Sequence, residues 1–163
     1  MLKRLQRRVW RKHKGSTNRH TAVRRLAKGY LKVRRQRKDF ACKTARTLIQ
    51  SHDRVAYEAL KIAHLVKNRR LAKSISDAAW GLFLGWLRYY GAIAGVPVVA
   101  VPPAYTSQDC SGVLADGTPC RTRAHKALSV RTHVCPRCGL VLDRDENAAR
   151  NILAAGHAVL AGA

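Results

Sequence analysis

The sequence predicts an α/β protein. A strand, a helix, a second strand and a closing helix follow one another, with a basic helical hairpin ahead of them and a cysteine-rich ribbon before the last helix. Three observations carry this. Residues 20–50 contain no proline and repeat apolar side chains at helical spacing. Two short apolar, β-branched segments, residues 54–60 and 98–101, bracket a long apolar stretch. Four of the five cysteines gather in residues 110–138.

The charge is distributed unequally. The 163-residue chain carries +23, from 32 Lys and Arg against nine Asp and Glu. Residues 1–50 hold 18 basic side chains and a single acid, Asp39, whereas residues 51–163 hold 14 basic and eight acidic ones. A field this positive opposes compaction and calls for a polyanionic partner. DNA, RNA and acidic membranes satisfy it on charge alone. A spanning segment is disfavoured, because the uncharged window 89–108 contains Pro97, Pro102 and Pro103. Residues 1–10 are charged throughout and lack the apolar core of a secretory signal. The expectation is a cytoplasmic, membrane-free protein. There a cysteine cluster points to metal rather than to disulfides.

In order along the chain, Leu2, Leu5 and Val9 set a short basic helix over residues 2–13, and residues 14–18 form a turn. Residues 20–50 form one long helix with a seam of Val23, Leu26, Tyr30, Val33, Phe40, Thr44 and Leu48. The two helices make an antiparallel hairpin. Arg7, Arg8, Arg11, Lys12, Arg24, Arg25, Arg34, Arg35, Arg37 and Lys38 project from it as candidate phosphate contacts. A strand over 54–60 carries Glu58 among apolar neighbours. The acid either alternates out to solvent or is paired there or holds a metal, since burial without a partner is costly. Residues 61–74 read as a basic loop. Ser76 or Asp77 is placed to cap a helix running to about Gly91, apolar on several sides and so destined for a core. Residues 98–101 form a second buried strand closed by Pro102-Pro103, and residues 145–160 an alanine-rich helix.

Within residues 107–142, Cys135-Pro136-Arg137-Cys138-Gly139 has the spacing of a zinc knuckle: two intervening residues let both thiolates face one ion. Cys110 and Cys120 complete a tetrahedral Zn²⁺ set across a nine-residue spacer containing two glycines and a proline. Clustered free thiols, or His133 replacing one ligand, are the alternatives. Such a closed site is structural, with no open position for water. Next, Asp143-Arg144-Asp145-Glu146 enters the last helix, where Asp145 either caps the helix or serves as a functional acid.

Read in order, Tyr57-Glu58-Ala59-Leu60, Ser74-Ile75-Ser76-Asp77-Ala78-Ala79-Trp80, Thr106-Ser107-Gln108-Asp109-Cys110-Ser111, the Cys135–Gly139 knuckle and the run Asp143-Arg144-Asp145-Glu146-Asn147-Ala148-Ala149-Arg150-Asn151-Ile152-Leu153 resemble the OrfB/TnpB transposon-encoded nucleases, relatives of the type V CRISPR effectors. The resemblance extends over essentially the whole chain. It implies a partial RNase H-like (RuvC) fold, with a target-nucleic-acid-binding zinc ribbon inserted before the third of three acids. It places the second acid on Glu58 and the third on Asp145, with Mg²⁺ as the catalytic ion, and it implies DNA as partner, with guide RNA in complete relatives. The implied division is a basic arm over 1–50, a RuvC-like core over 51–106, the ribbon over 107–142 and the last acidic motif with its helix over 143–163.

The pattern departs from the family twice. Cys110 and Cys120 stand further apart than the family's close pair. The first acid is expected on an earlier Gly-Ile-Asp-type strand, which this sequence does not contain, and Asp39 and Asp53 do not replace it. The expectation is therefore an N-terminally truncated relative, a prokaryotic nucleoid-associated protein that binds DNA and does not cut it alone. Alternatives are a nuclease completed by an upstream polypeptide, a nonenzymatic zinc-containing regulator, and a ribosomal-type RNA-binding protein.

Overall fold

The long second helix organises the molecule. In the computed structural model, which describes every residue except 126, 128 and 163, α1 (Leu2–Trp10) folds back on α2 (Thr17–Ser51). Residues 126 and 128 fall inside the expected ribbon. The Ser16 side chain accepts from the Arg19 N–H and caps α2. The expected antiparallel hairpin is present. Leu2 and Leu5 of α1 lie over Gly29, where a Cβ would come within 3.1 and 3.0 Å of their Cδ atoms, so the glycine sets how closely the helices approach.

The buried stripe of α2 differs from the expected seam. Gly29, Ala41, Ala45 and Ile49 are buried, while Val23, Tyr30 and Phe40 are exposed, Phe40 at 71%. Ala41 and Ala45 are small enough to let a second helix lie close, while Ile49 and Leu48 pack on the same core and Phe40 is turned outward. That second helix is α5 (Trp80–Ala94); its Leu84 and Leu87 close a core with Ala45 and Ile49.

The expected strands are β1 (Val55–Glu58) and β2 (Val98–Val101), paired in parallel with Val55 opposite Val98 and Glu58 opposite Val101. Successive side chains alternate faces. Val55, Tyr57 and Val98 pack on the α2–α5 core. Ala56 faces the other way, onto α6 (Arg144–Ala161): a Cβ at Gly156 would lie 2.6 Å from the Ala56 Cβ, so the helix meets the strand with nothing between them. The sheet is thus covered by α2 and α5 on one face and by α6 on the other, and Glu58, two residues beyond Ala56, belongs to the α6 face.

Two expectations are corrected between β1 and α5. Residues 61–74 are not simply a loop, since α3 (Ile62–Leu65) lies within them and α4 (Ala72–Ala78) begins there. Ser76 and Asp77 do not cap α5. They lie inside α4, the Asp77 carboxylate pairs with the Arg37 guanidinium, and α5 starts at Trp80 after Ala79 in the left-handed region, φ 51°. The antiparallel pair β3 (Thr132–Val134) and β4 (Val141–Asp143) carries the knuckle and leads directly into α6.

Candidate functional site

The nine-residue spacer between Cys110 and Cys120 folds as a narrow hairpin. The Leu114 N–H donates to the Thr118 carbonyl and the Gly117 N–H to the Leu114 carbonyl. Asp116 accepts from both the Thr118 N–H and its hydroxyl, which hold its carboxyl below the usual carboxylate range. The returning strand registers through the Cys110 N–H to the Thr122 carbonyl and the Cys120 N–H to the Gly112 carbonyl. The wide spacing is therefore an excursion that leaves the two thiols side by side.

The knuckle faces them. Gly139 at φ 72° allows its N–H to return to the Cys135 carbonyl, and the Cys135 N–H donates to the Leu140 carbonyl. All four sulfurs lie within 4.8 Å of one another, with Cys110 to Cys138 at 3.5 Å and Cys120 to Cys135 at 3.6 Å. A tetrahedron of thiolates around zinc has edges of roughly 3.8 Å, from Zn–S bonds near 2.3 Å. The four cysteines thus fit a metal such as zinc, and His133, buried in β3, is not one of the group. Burial pushes the Cys110 thiol up to about 12. At Cys135 burial acts in the same direction but is overcome by the N–H groups of Cys138 and Arg137, which bring it down to about 6.

Gly112 is the tightest point of this centre. A Cβ there would sit 2.9 Å from the Cys138 sulfur and 3.3 Å from that of Cys110. Gly112→Ala should push two ligands apart and weaken zinc about tenfold or more, of the order seen when support around a metal site is lost. Competition with a chromogenic chelator measures this; unchanged affinity would show that the sulfurs adjust freely.

The two candidate acids stand at the end of β1 and in the first turn of α6. Glu58 ends β1, half-buried, and accepts a 2.5 Å hydrogen bond from the Thr106 hydroxyl. It is therefore not simply turned out to solvent. Asp145 is in the first turn of α6 and does not cap it: the Asp143 carboxylate accepts from the N–H groups of Asp145 and Glu146. Asp145 is 76% exposed, with the guanidiniums of Arg144 and Arg131 at 3.7 and 4.0 Å, loose surface pairs that yield easily. At about 100° per residue Asp145 shares the stripe of Gly156, the residue packed on Ala56. Glu58 therefore lies on the α6 side of the sheet, while Asp145 stands largely exposed at the start of α6. Among the described residues the four cysteines are the only group of three or more His, Cys, Asp or Glu placed to close on one ion. Glu58 and Asp145 are not part of a second such group among the described residues.

Of the ten basic residues expected to meet phosphate, nine are exposed. Arg37 is half-buried in its pair with Asp77, and Lys38 lies 5.4 Å from the centre of the Trp86 ring, so these two also brace α2 against α4 and α5. No described helix is long and apolar enough to cross a membrane.

Sequence reasoning gave no role to Thr106, Asn147 or Asn151. The two asparagines stand four apart on one face of α6 and reach over the segment that carries Thr106 and Cys110. Their i, i+4 spacing was the available signal.

A basic helical hairpin, a parallel strand pair ending in Glu58 and a ribbon whose four cysteines could hold a metal define an α/β protein with a metal-binding ribbon. Residues 1–69 match a family described as "Probable transposase" (OrfB, IS605 type), and residues 80–152 match the "Cas12f1-like, TNB domain". The chain belongs to the OrfB/TnpB family. It is 41% identical over 98% of its length to a "Putative RNA-guided DNA endonuclease" of Streptomyces pristinaespiralis, covering 38% of that protein. It is 34% identical over 98% of its length to "Putative RNA-guided DNA endonuclease InsQ" of Escherichia coli K12, covering 42% of it. A "TnpB-like protein L79" of Acanthamoeba polyphaga mimivirus is 28% identical over 80% of the chain, which covers 25% of that protein. The chain thus spans about two fifths of the length of the first two relatives.

Proposed function

We propose that this chain is the DNA-binding part of a TnpB-like transposase or RNA-guided DNA endonuclease. In this reading residues 1–50 grip the nucleic-acid backbone and residues 107–142 form a target-binding ribbon around one structural zinc. Residues 51–106 and 143–163 contribute the RuvC-like core with Glu58 and Asp145 as its second and third acids. Guide RNA and target DNA enter through the names of the relatives, and attachment to DNA would keep the chain with the nucleoid. Cleavage is not a property of this chain alone.

One observation carries the reading. Of the ten candidate cations on the hairpin, Arg37 alone has an ion-pair partner among the described residues. The others stand exposed on the two helices or, for Arg11 and Lys12, just past the end of α1, a field that a phosphate backbone neutralises with release of counterions. Deleting residues 1–50 would not test this cleanly, because Ala45 and Ile49 of α2 belong to the core. Substituting Arg7, Arg8, Arg24 and Arg25 together by Gln leaves that core untouched. The variant should bind double-stranded DNA at least about tenfold more weakly at moderate salt. The slope of log K against log salt should flatten by about three to four, near 0.9 per phosphate contact. Wild-type slope and affinity would remove the hairpin from the interface.

A further inference from the structure

The side-chain amide of Asn147 brackets a zinc ligand. Its Nδ2 donates to the Asp109 carbonyl at 2.8 Å, and its Oδ1 accepts from the Ser111 N–H at 3.0 Å. These are the groups on either side of Cys110. Asn147 is 0% exposed although it lies on a helix outside the ribbon. One turn on, Asn151 donates to the carbonyls of Asp109 at 2.7 Å and Thr106 at 2.8 Å. The clamped segment begins at Tyr105, in the left-handed region at φ 62°, whose carbonyl accepts from the N–H groups of Gln108 and Asp109. Its far side is held by Arg123, which forks onto Asp109 and lies over the Tyr105 ring at 3.5 Å. Thr106, inside the clamp, donates to Glu58.

We infer that Asn147 and Asn151 are positioning residues for the metal centre, and that through them zinc loading of the ribbon is coupled to the seating of α6 on the sheet. A buried amide that satisfies both peptide groups around Cys110 fixes the direction of that thiol before any ion arrives, and a fixed ligand loses less freedom on binding. Coupling is reciprocal. If α6 holds Cys110 in place, an ion holding Cys110 must in turn hold the first turns of α6, where Asp145 sits. The same clamp reaches Glu58 through Thr106, so metal in the ribbon steadies both acids without touching either. The inference rests on the four-cysteine zinc site proposed above.

The test uses the full chain and zinc alone. Zinc affinity is measured by chelator competition for wild type, Asn151→Ala and Asn147→Asp, the last keeping the acceptor toward Ser111 while losing the Nδ2 donor. Hydrogen exchange of residues 144–155 is followed with and without zinc. Wild type should gain protection in α6 on loading. Asn151→Ala should lose about tenfold in zinc affinity and Asn147→Asp up to about a hundredfold, the range for residues that orient metal ligands. Both should show α6 exchange that responds less to the ion, a change that a general loss of stability would not produce. Wild-type affinity in both variants, or α6 exchange indifferent to zinc in wild type, overturns the inference and leaves the zinc site standing. No zinc bound by the wild type overturns both.

Discussion

Replacing Cys135 and Cys138 together by serine should abolish stoichiometric zinc binding and unfold residues 107–142, leaving the α2–α5 core intact. The ribbon has little else to hold it. Its buried cluster consists of Cys110, Cys120 and Cys135, with Leu114, Cys138 and Leu140 packed against it. Two leucines contribute about 1.5–3 kcal/mol each, whereas ordering a backbone costs about 1–2 kcal/mol per residue over some 36 residues. The hairpin and knuckle hydrogen bonds do not close that gap, since each is worth only about 1 kcal/mol net. A four-thiolate zinc supplies on the order of 10–16 kcal/mol at neutral pH. Metal analysis of the purified protein should give about one zinc per wild-type chain and almost none per variant. Hydrogen exchange should then locate the loss of protection in the ribbon and the adjoining start of α6. Full zinc content in the double variant would rule out this ligand set. A ribbon still protected after chelation would mean that its fold needs no metal.

The parts of the fold that were legible in the sequence are those that local chemistry decides. Absence of proline and a 3.6-residue period pointed to the long helix; two β-branched runs flanking a helical stretch pointed to the two strands; a two-residue gap between cysteines pointed to the knuckle. What was not legible depends on partners distant along the chain. Nothing near Asp77 reveals that Arg37, forty residues earlier, will pair with it, or that a separate helix α4 will hold it and end at Ala78 before α5 starts at Trp80. The apolar spacing of α2 included Tyr30 and Phe40 in its seam together with Leu48; Leu48 does pack on the core, but the fully buried positions are Ala41 and Ala45, and Phe40 is exposed. The spacer between Cys110 and Cys120 showed its turn residues but not its return, which the Cys120 to Gly112 hydrogen bond makes. The site followed the same rule. The thiols announced themselves by spacing, while the roles of Thr106 and the two asparagines exist only where α6, β1 and the ribbon meet. At Asp145 the sequence left two readings, and a neighbour two residues earlier removes the capping one by taking the cap itself.

Incubated with single- or double-stranded DNA and Mg²⁺ or Mn²⁺, the purified chain should show no cleavage above that of a Glu58→Ala, Asp145→Ala double variant. Two-metal hydrolysis needs carboxylates that bridge and flank both ions, so that attacking and leaving oxygens are stabilised together. Glu58 and Asp145 supply two at most, and Mg²⁺ held by so few protein ligands keeps its waters and binds weakly. The other acids of this region have different work. Asp143 caps α6, Asp77 is paired with Arg37, Asp109 with Arg123 and Glu146 with Arg150. Recruiting Asp143 would uncap a helix, at about 1 kcal/mol, to bring in a carboxylate from the wrong side of its own turn. Recruiting Asp109 would release the arginine fork that steadies the segment bearing Thr106. A single loosely held ion leaves one of the two oxygens unsupported, and the barrier stays high. Cutting by the wild type and not by the double variant would sink this expectation and show that the site completes itself, for instance between two copies. No cutting alone, followed by cutting once a polypeptide with an Asp-bearing strand is added, would instead identify β1 as the edge on which that strand docks. β1 pairs only with β2 among the described strands, so its other edge is open to such a strand.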